Sequence, residues 1–162
     1  MKTVLVTGGS KGIGRAICEI FLNKGYKVAF CYSKDDEAAK DFLAAKSATS
    51  DKLRCYKVDV SVKNEVEQMV ADIADNFGTV DILVNNAATD DENGFDTIEK
   101  ITQSVIDDTF AVNVRGSIMM MREFINRRGD FGRIINISTD AAQSFAGQIT
   151  YGASKATLEA LT

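Results

Sequence analysis

The strongest constraint on this chain is a β-branched apolar run that breaks on glycines and passes directly into a helical pattern. Thr3-Val4-Leu5-Val6-Thr7 stops at Gly8-Gly9, and Ile13, Ile17, Ile20 and Phe21 follow at helical spacing. The reading is strand, tight turn, helix. Gly25 stands where a helix C-terminal cap is expected, and Lys27 to Tyr32 reads as a second strand. The Ala-rich segment Asp36 to Lys46 is helical, and Leu53 to Val58 is a third strand. Ser61 is placed to cap the helix running toward Asn76. Ile82-Leu83-Val84 is apolar on both faces, as strands inside a helix-covered parallel sheet are. A polar loop from Thr89 to Asp96 precedes a long helical region between about Thr102 and Asn126. Gly132 to Ile137 is a fifth strand, and Tyr151 to Leu161 begins another helix. Strand and helix alternate throughout, which predicts an α/β fold: a doubly wound parallel sheet with helices on both faces and right-handed crossovers.

Composition narrows the function. With 162 residues, 45% of them hydrophobic, the chain suits one core, so residues 1–162 are expected to form a single domain. A net charge of -4 argues against a nucleic-acid partner, and the charges are interspersed rather than gathered in a tail. The N-terminus has no secretory pattern and no stretch has the apolar length to span a bilayer, so a soluble, cytoplasmic protein is expected, with no membrane partner. Cys18, Cys31 and Cys55 lack metal-ligand spacing and fall within helix or strand patterns, which predicts buried free thiols and no metal site. The chain contains no histidine, excluding Ser-His-Asp and Cys-His catalysis, so acid-base chemistry falls to Tyr, Lys, Cys or carboxylates.

Between the first strand and the first helix lies Thr7-Gly8-Gly9-Ser10-Lys11-Gly12-Ile13-Gly14. Glycines there allow a sharp turn and a close approach to a pyrophosphate, and a helix N-terminus offers unpaired N–H donors. A glycine-rich strand-helix turn also arises for steric reasons alone, so the position in the first βα unit carries the argument. The spacing T-G-x-x-x-G-x-G resembles the cofactor motif of the short-chain dehydrogenase/reductase family. The resemblance continues through Asp59-Val60 after the third strand, Asn85-Asn86-Ala87-Ala88 after the fourth, Asn113 in a V-N-V context, Ser138 ending the fifth strand and Tyr151-Gly152-Ala153-Ser154-Lys155 as Y-x-x-x-K. It covers essentially the whole chain and implies a Rossmann-type dinucleotide-binding fold. Ala88 departs from the glycine usual at the end of N-N-A-G.

Tyr151 and Lys155 stand four residues apart, so on a helix they share a face. A nearby ammonium favours the phenolate and would lower the tyrosine's pKa from about 10. Taken alone, Y-x-x-x-K is equally an exposed amphipathic turn, Asn113 a helix-bending residue and Ser138 a strand-end cap. The resemblance implies more. Tyr151 would exchange a proton with the substrate oxygen, Ser138 would hydrogen-bond that oxygen, Lys155 would also hold the nicotinamide ribose, and Asn113 would hold a water in a proton relay. Cofactor binding is expected at Gly8, Ser10, Lys11, Gly12, Ile13, Gly14, Ser33, Lys34, Asp59, Val60, Asn86, Ala87, Tyr151 and Lys155.

Enzymes that read NAD place an acid on the adenosine ribose, whereas NADP enzymes need that site free of negative charge. The second strand ends in Tyr32-Ser33-Lys34, and Lys11 and Lys34 are positioned for a 2'-phosphate, so NADP is the expected cofactor. If the strand ends later, Asp35 or Asp36 would select NAD instead. The segment Ala146 to Tyr151 looks like that of β-ketoacyl-carrier-protein reductases, implying a 3-oxoacyl thioester, while other small ketones, sugars and steroids remain open. A catalytically silent dinucleotide-binding module is the reading from a different class. In the family the strands run 3-2-1-4-5 and then sixth and seventh. Those C-terminal strands are absent from this chain, and the absence of proline fits the loss of a Pro-Gly loop that follows in the family. The chain is therefore expected to be C-terminally incomplete, leaving the fifth strand as an edge, with a homo-oligomer (dimer or tetramer) expected of the complete protein.

Overall fold

The structure, a computed structural model, describes residues 1–90, 97–143 and 147–162. Five parallel strands form one sheet: β1 (Thr3–Thr7), β2 (Lys27–Tyr32), β3 (Leu53–Lys57), β4 (Val80–Asn85) and β5 (Arg133–Asn136), in the order β3-β2-β1-β4-β5. This is the expected order and the expected doubly wound architecture. Successive strand residues point to opposite faces. Val4, Val6, Val28 and Phe30 face α1 (Gly12–Asn23) and α2 (Asp36–Ala45), meeting Cys18, Leu22 and Phe42. Leu5, Ala29 and Leu83 face α3 (Lys63–Asn76) and a later helix, α5 (Ser117–Arg127), where Val70, Ile73, Met120 and Phe124 receive them. Both faces are apolar because both are covered, and for that reason these strands do not alternate apolar with polar. Phe30 and Phe42 are fully buried, tilted ring to ring at 5.2 Å, each adding about 2–3 kcal/mol of hydrophobic stabilisation.

Gly25 closes α1 at φ +85, a left-handed conformation, and its N–H reaches the Leu22 carbonyl. Three expectations change. Ser61 does not cap α3: the helix begins at Lys63, and the Ser61 hydroxyl donates to Asp59 Oδ1 at 2.7 Å in a tight side-chain turn. The region expected as one long helix is divided. Thr102 caps α4 (Gln103–Phe110), a π turn spans Ala111–Gly116, and α5 follows. A π turn carries an i→i+5 pattern that no residue periodicity announces. Finally, α6 (Ile149–Ala160) starts two residues before Tyr151, which places that residue inside the first turn.

Cys18 and Cys31 are buried and Cys55 is half-buried, all three as free thiols. Burial pushes Cys31 up to about 12 and Cys55 up to about 11, so neither is a thiolate near neutrality. No helix among the described residues is long and apolar enough to cross a membrane.

Candidate active site

The site lies at the carboxyl ends of β1, β2 and β4, where an open parallel sheet presents its loops. Gly8 and Gly12 take φ values of +66 and +54, conformations that residues with a side chain rarely adopt. Gly14 is required for a different reason. A Cβ there would stand 2.1 Å from the Gly8 carbonyl oxygen and 2.5 Å from Asn86 Nδ2. Asn86 locks this turn by donating from Nδ2 to the carbonyls of Thr7 and Gly8, at 2.9 and 3.1 Å. Thr7 completes the tie, its Oγ1 accepting from the backbone N–H groups of Asn86 and Ala87. The sequence reading assigned Thr7 no role, although it opens the motif.

One groove of about 740 Å³ runs along these ends, and Gly8, Ser10, Lys11, Ser33, Lys34, Asp59, Val60, Asn86 and Ala87 all line it. Gly12, Ile13 and Gly14 form the first turn of α1 instead of the groove wall, with Ile13 65% exposed. At the β2 end, the Lys11 ammonium meets Asp35 at 3.0 Å. Asp35 also caps α2 by accepting from the Ala38 N–H, and this bond, with Lys11, holds its carboxyl below the usual range. Asp36 accepts from Tyr32 at 2.8 Å and from Lys57 at 2.7 Å, which lowers its pKa likewise. Asp59 turns Oδ1 back to the Ser61 backbone and hydroxyl.

A second cavity of about 530 Å³ adjoins the groove, sharing Ala88, Thr89 and Asp90 with it. Tyr151, Thr139, Asp140 and Gln148 form its other described walls. Lys155 lies behind Tyr151, 2% exposed, with Nζ 5.6 Å from the ring centroid and donating to the Ile137 carbonyl at 2.7 Å. Burial lowers its pKa. The Tyr151 hydroxyl is pushed up, first by burial and then by the negative field of Asp90, so the downward pull expected from Lys155 is not the direction found here. Removing that field should reverse part of the shift. In Asp90→Asn the phenol is expected to ionise at lower pH, read as the ultraviolet titration difference against the same variant carrying Tyr151→Phe. An unmoved or higher midpoint would show that Asp90 does not act on Tyr151.

Asn113, fully buried in the π turn, donates to the Thr89 carbonyl and to Ser154 Oγ, both at 2.9 Å, and accepts from the Thr89 N–H. Its amide thus ties the loop after β4 to α6. The Ser138 hydroxyl donates to Glu159 at 2.5 Å, and the next residue, Thr139, lines the cavity. The sequence reading missed Thr139, Asp90, Asp140 and Gln148 because motif spacing orders residues along the chain without saying which way a side chain turns. Asp91 to Asp96 of the acidic loop, and Ala146 of the segment that suggested a thioester, lie outside the described residues.

A glycine-built turn at a helix N-terminus borders a groove continuous with the Tyr151 cavity, and the family profile described as short chain dehydrogenase matches residues 2–162. The chain belongs to the short-chain dehydrogenase family. It is 37% identical over 158 residues to an acetoacetyl-CoA reductase of Rhizobium meliloti (strain 1021), matching 96% of this chain and 62% of that protein. To a sorbitol dehydrogenase of Cereibacter sphaeroides it is 35% identical over 166 residues, covering 99% and 62% respectively. A short chain dehydrogenase from Burkholderia cenocepacia J2315, solved in complex with NADP, superposes with a TM-score of 0.91 at 35% identity, over 99% of this chain and 65% of that one. The chain thus spans 62% of the length of the two curated relatives it matches.

Proposed function

We propose that the protein is an oxidoreductase that moves a hydride between a nicotinamide dinucleotide, NADP in preference to NAD, and a carbonyl or alcohol carbon. The observation that carries this reading is the continuity of the glycine-turn groove with the Tyr151 cavity across Ala88, Thr89 and Asp90. The residues fit a dinucleotide. Gly8 lines the groove with a left-handed backbone, and the α1 N-terminus carries no side-chain cap, so its first N–H groups are available to an anion. Gly8, Ser10 and Lys11 would hold the phosphates and Asn86 and Ala87 the nearer ribose, with Asp59 and Val60 beside the adenine. When bound, the nucleotide supplies or takes up the hydride. Tyr151 holds the exchangeable proton at its hydroxyl, and Lys155 stands behind it. Asn113 keeps the loop at Thr89 and helix α6 in register, so that both walls of the cavity move together.

Preference for NADP rests on the partners of the two acids near the adenosine end. Asp36 is held by Tyr32 and Lys57, and Asp35 caps a helix and pairs with Lys11. Both acids are thus already engaged, and Lys34 lines the groove beside Asp35. Lys34→Glu should weaken NADPH binding about tenfold or more while changing NADH by less than about threefold, since only NADPH carries the extra phosphate. Calorimetric titration of both nucleotides tests this. Tighter binding of NADH than NADPH by the unaltered protein would overturn the preference.

The substrate is a small carbonyl or alcohol compound. Named relatives act on an acyl thioester and on a sugar alcohol, and the described walls of the cavity are polar apart from Ala88 and the Tyr151 ring. Turnover of acetoacetyl-CoA and of a ketose with NADPH decides between the thioester and hydroxylated alternatives. A cytoplasmic location and a homo-oligomeric state complete the proposal.

A further inference from the structure

We infer that the side chains of Asn85 and Asn136 position Lys155, fixing its ammonium from the strand ends and its helix from the far turn. This rests on the proposed oxidoreductase reading and adds two positioning residues to it. Asn85 closes β4 and Asn136 closes β5, opposite each other in the sheet. Asn85 Nδ2 donates to Asn136 Oδ1 at 2.9 Å, and Asn136 Nδ2 donates onward to Thr162 Oγ1 at 2.8 Å. Thr162 in turn donates to the Leu158 carbonyl at 2.9 Å. Lys155, Leu158 and Thr162 follow one another at three- and four-residue spacing, so the chain of bonds ends on the face of α6 that carries the lysine.

The backbone beside the pair meets the lysine itself. The Ile137 N–H donates to the Asn85 carbonyl at 2.9 Å, and the Ile137 carbonyl receives Lys155 Nζ at 2.7 Å. The ammonium is therefore set by a peptide tied to Asn85, and its helix by the side chain of Asn136. Packing alone does not account for the pair. Asn85 is 2% exposed in a strand whose Val80, Ile82, Leu83 and Val84 are all buried. Among the described residues, its Oδ1 is the buried side-chain atom left without a hydrogen-bond partner. An unpaired buried acceptor destabilises the fold, whereas two apolar groups of like shape in place of such a pair are nearly neutral. The asparagines contribute direction where leucines would contribute packing.

Turnover of a carbonyl substrate with NADPH, melting temperature, and calorimetric affinity for NADPH and for adenosine 2',5'-bisphosphate should be measured on Asn136→Leu, Asn136→Asp, Thr162→Val and the double variant Asn85→Leu/Asn136→Leu. The bisphosphate lacks the nicotinamide ribose that Lys155 is proposed to hold. Misplacing a reacting group by about 1 Å costs about 10²-fold in rate, and Asn136→Leu is expected to lose about that much in kcat. NADPH should weaken about fivefold or more while the bisphosphate stays within about twofold, since only NADPH reaches the lysine. Asn136→Asp accepts from both Asn85 and Thr162, keeps the tie and should restore turnover. The double variant should melt with wild type and remain as slow as Asn136→Leu, which separates position from stability. Thr162→Val, at an exposed helix end, cuts the same chain of bonds without touching the sheet and should show the same selective loss of NADPH. NADPH affinity and turnover within about threefold of wild type in Asn136→Leu, or in Thr162→Val should the leucine variant not fold, would overturn the inference. Equal weakening of NADPH and the bisphosphate, or no recovery in Asn136→Asp, would do so as well, by reducing the pair to a support of the sheet. Failure of the oxidoreductase reading itself looks different, since the wild-type protein would then bind neither nucleotide, or Tyr151→Phe would turn over like wild type.

Discussion

Replacing Tyr151 by phenylalanine is expected to abolish turnover while leaving nucleotide binding in place. The ring stays, so the packing of α6 on the turn at Asp140–Gln143 and the wall of the cavity are unchanged. Only the phenolic proton is lost. Histidine is absent from the chain, and Lys155 is buried behind the ring with its ammonium on the Ile137 carbonyl, so no described neighbour replaces that proton. General acid catalysis of this kind is worth about 10²–10⁴ in rate, and the upper half of that range is expected here. Steady-state kinetics beside calorimetric titration of NADPH separates the two effects. A phenylalanine variant turning over within a few-fold of wild type would remove Tyr151 from the chemistry.

The largest structural effect is expected from Gly14→Ala. Its Cβ would meet the Gly8 carbonyl oxygen at 2.1 Å and Asn86 Nδ2 at 2.5 Å. Neither neighbour can yield cheaply: the first is backbone in a left-handed turn, and the second is hydrogen-bonded to two carbonyls. Relief requires α1 to shift away from β4, which breaks the Asn86 tie and reshapes the groove. Overpacking of this kind costs about 2–3 kcal/mol, which corresponds to a fall in Tm of about 4–12 °C for a chain of this size. Nucleotide affinity should drop at least about tenfold, a change of about 1.4 kcal/mol. Gly129→Ala is the control, because a Cβ there meets nothing within 4 Å. Equal melting temperatures and equal affinities for the two variants would show that the turn tolerates the methyl group.

Much of this architecture was legible in the residues, and the exceptions share a cause. The ends of β1 and β2 match their apolar runs because both faces of those strands are buried, leaving nothing polar to blur the boundary. The glycine turn was legible because left-handed backbone and close approach restrict the residue type at Gly8 and Gly14. Ser61 was misassigned since a serine before a helix serves equally in a side-chain turn, and Asp59 two residues earlier captured it. The π turn around Asn113 escaped because no residue type marks the point at which one extra residue enters a helix. Ser138 and Thr139 are adjacent hydroxyls beyond a strand end, where period-two alternation no longer applies; Ser138 meets Glu159, and Thr139 lines the cavity.

The tie between Asn86 and the glycine turn has a kinetic consequence. It joins residues 79 apart in the chain, and the Asn113–Ser154 bond joins residues 41 apart. Contacts of such separation require loop closure before they contribute any stabilisation, so chains built on them fold more slowly than helical proteins of equal length. The first strand and its glycines leave the ribosome early, yet the groove they line is incomplete until β4 has paired with β1 and Asn86 has reached Thr7. A nucleotide present during synthesis therefore meets no binding surface until the centre of the sheet is assembled, and can act only to hold the finished protein together.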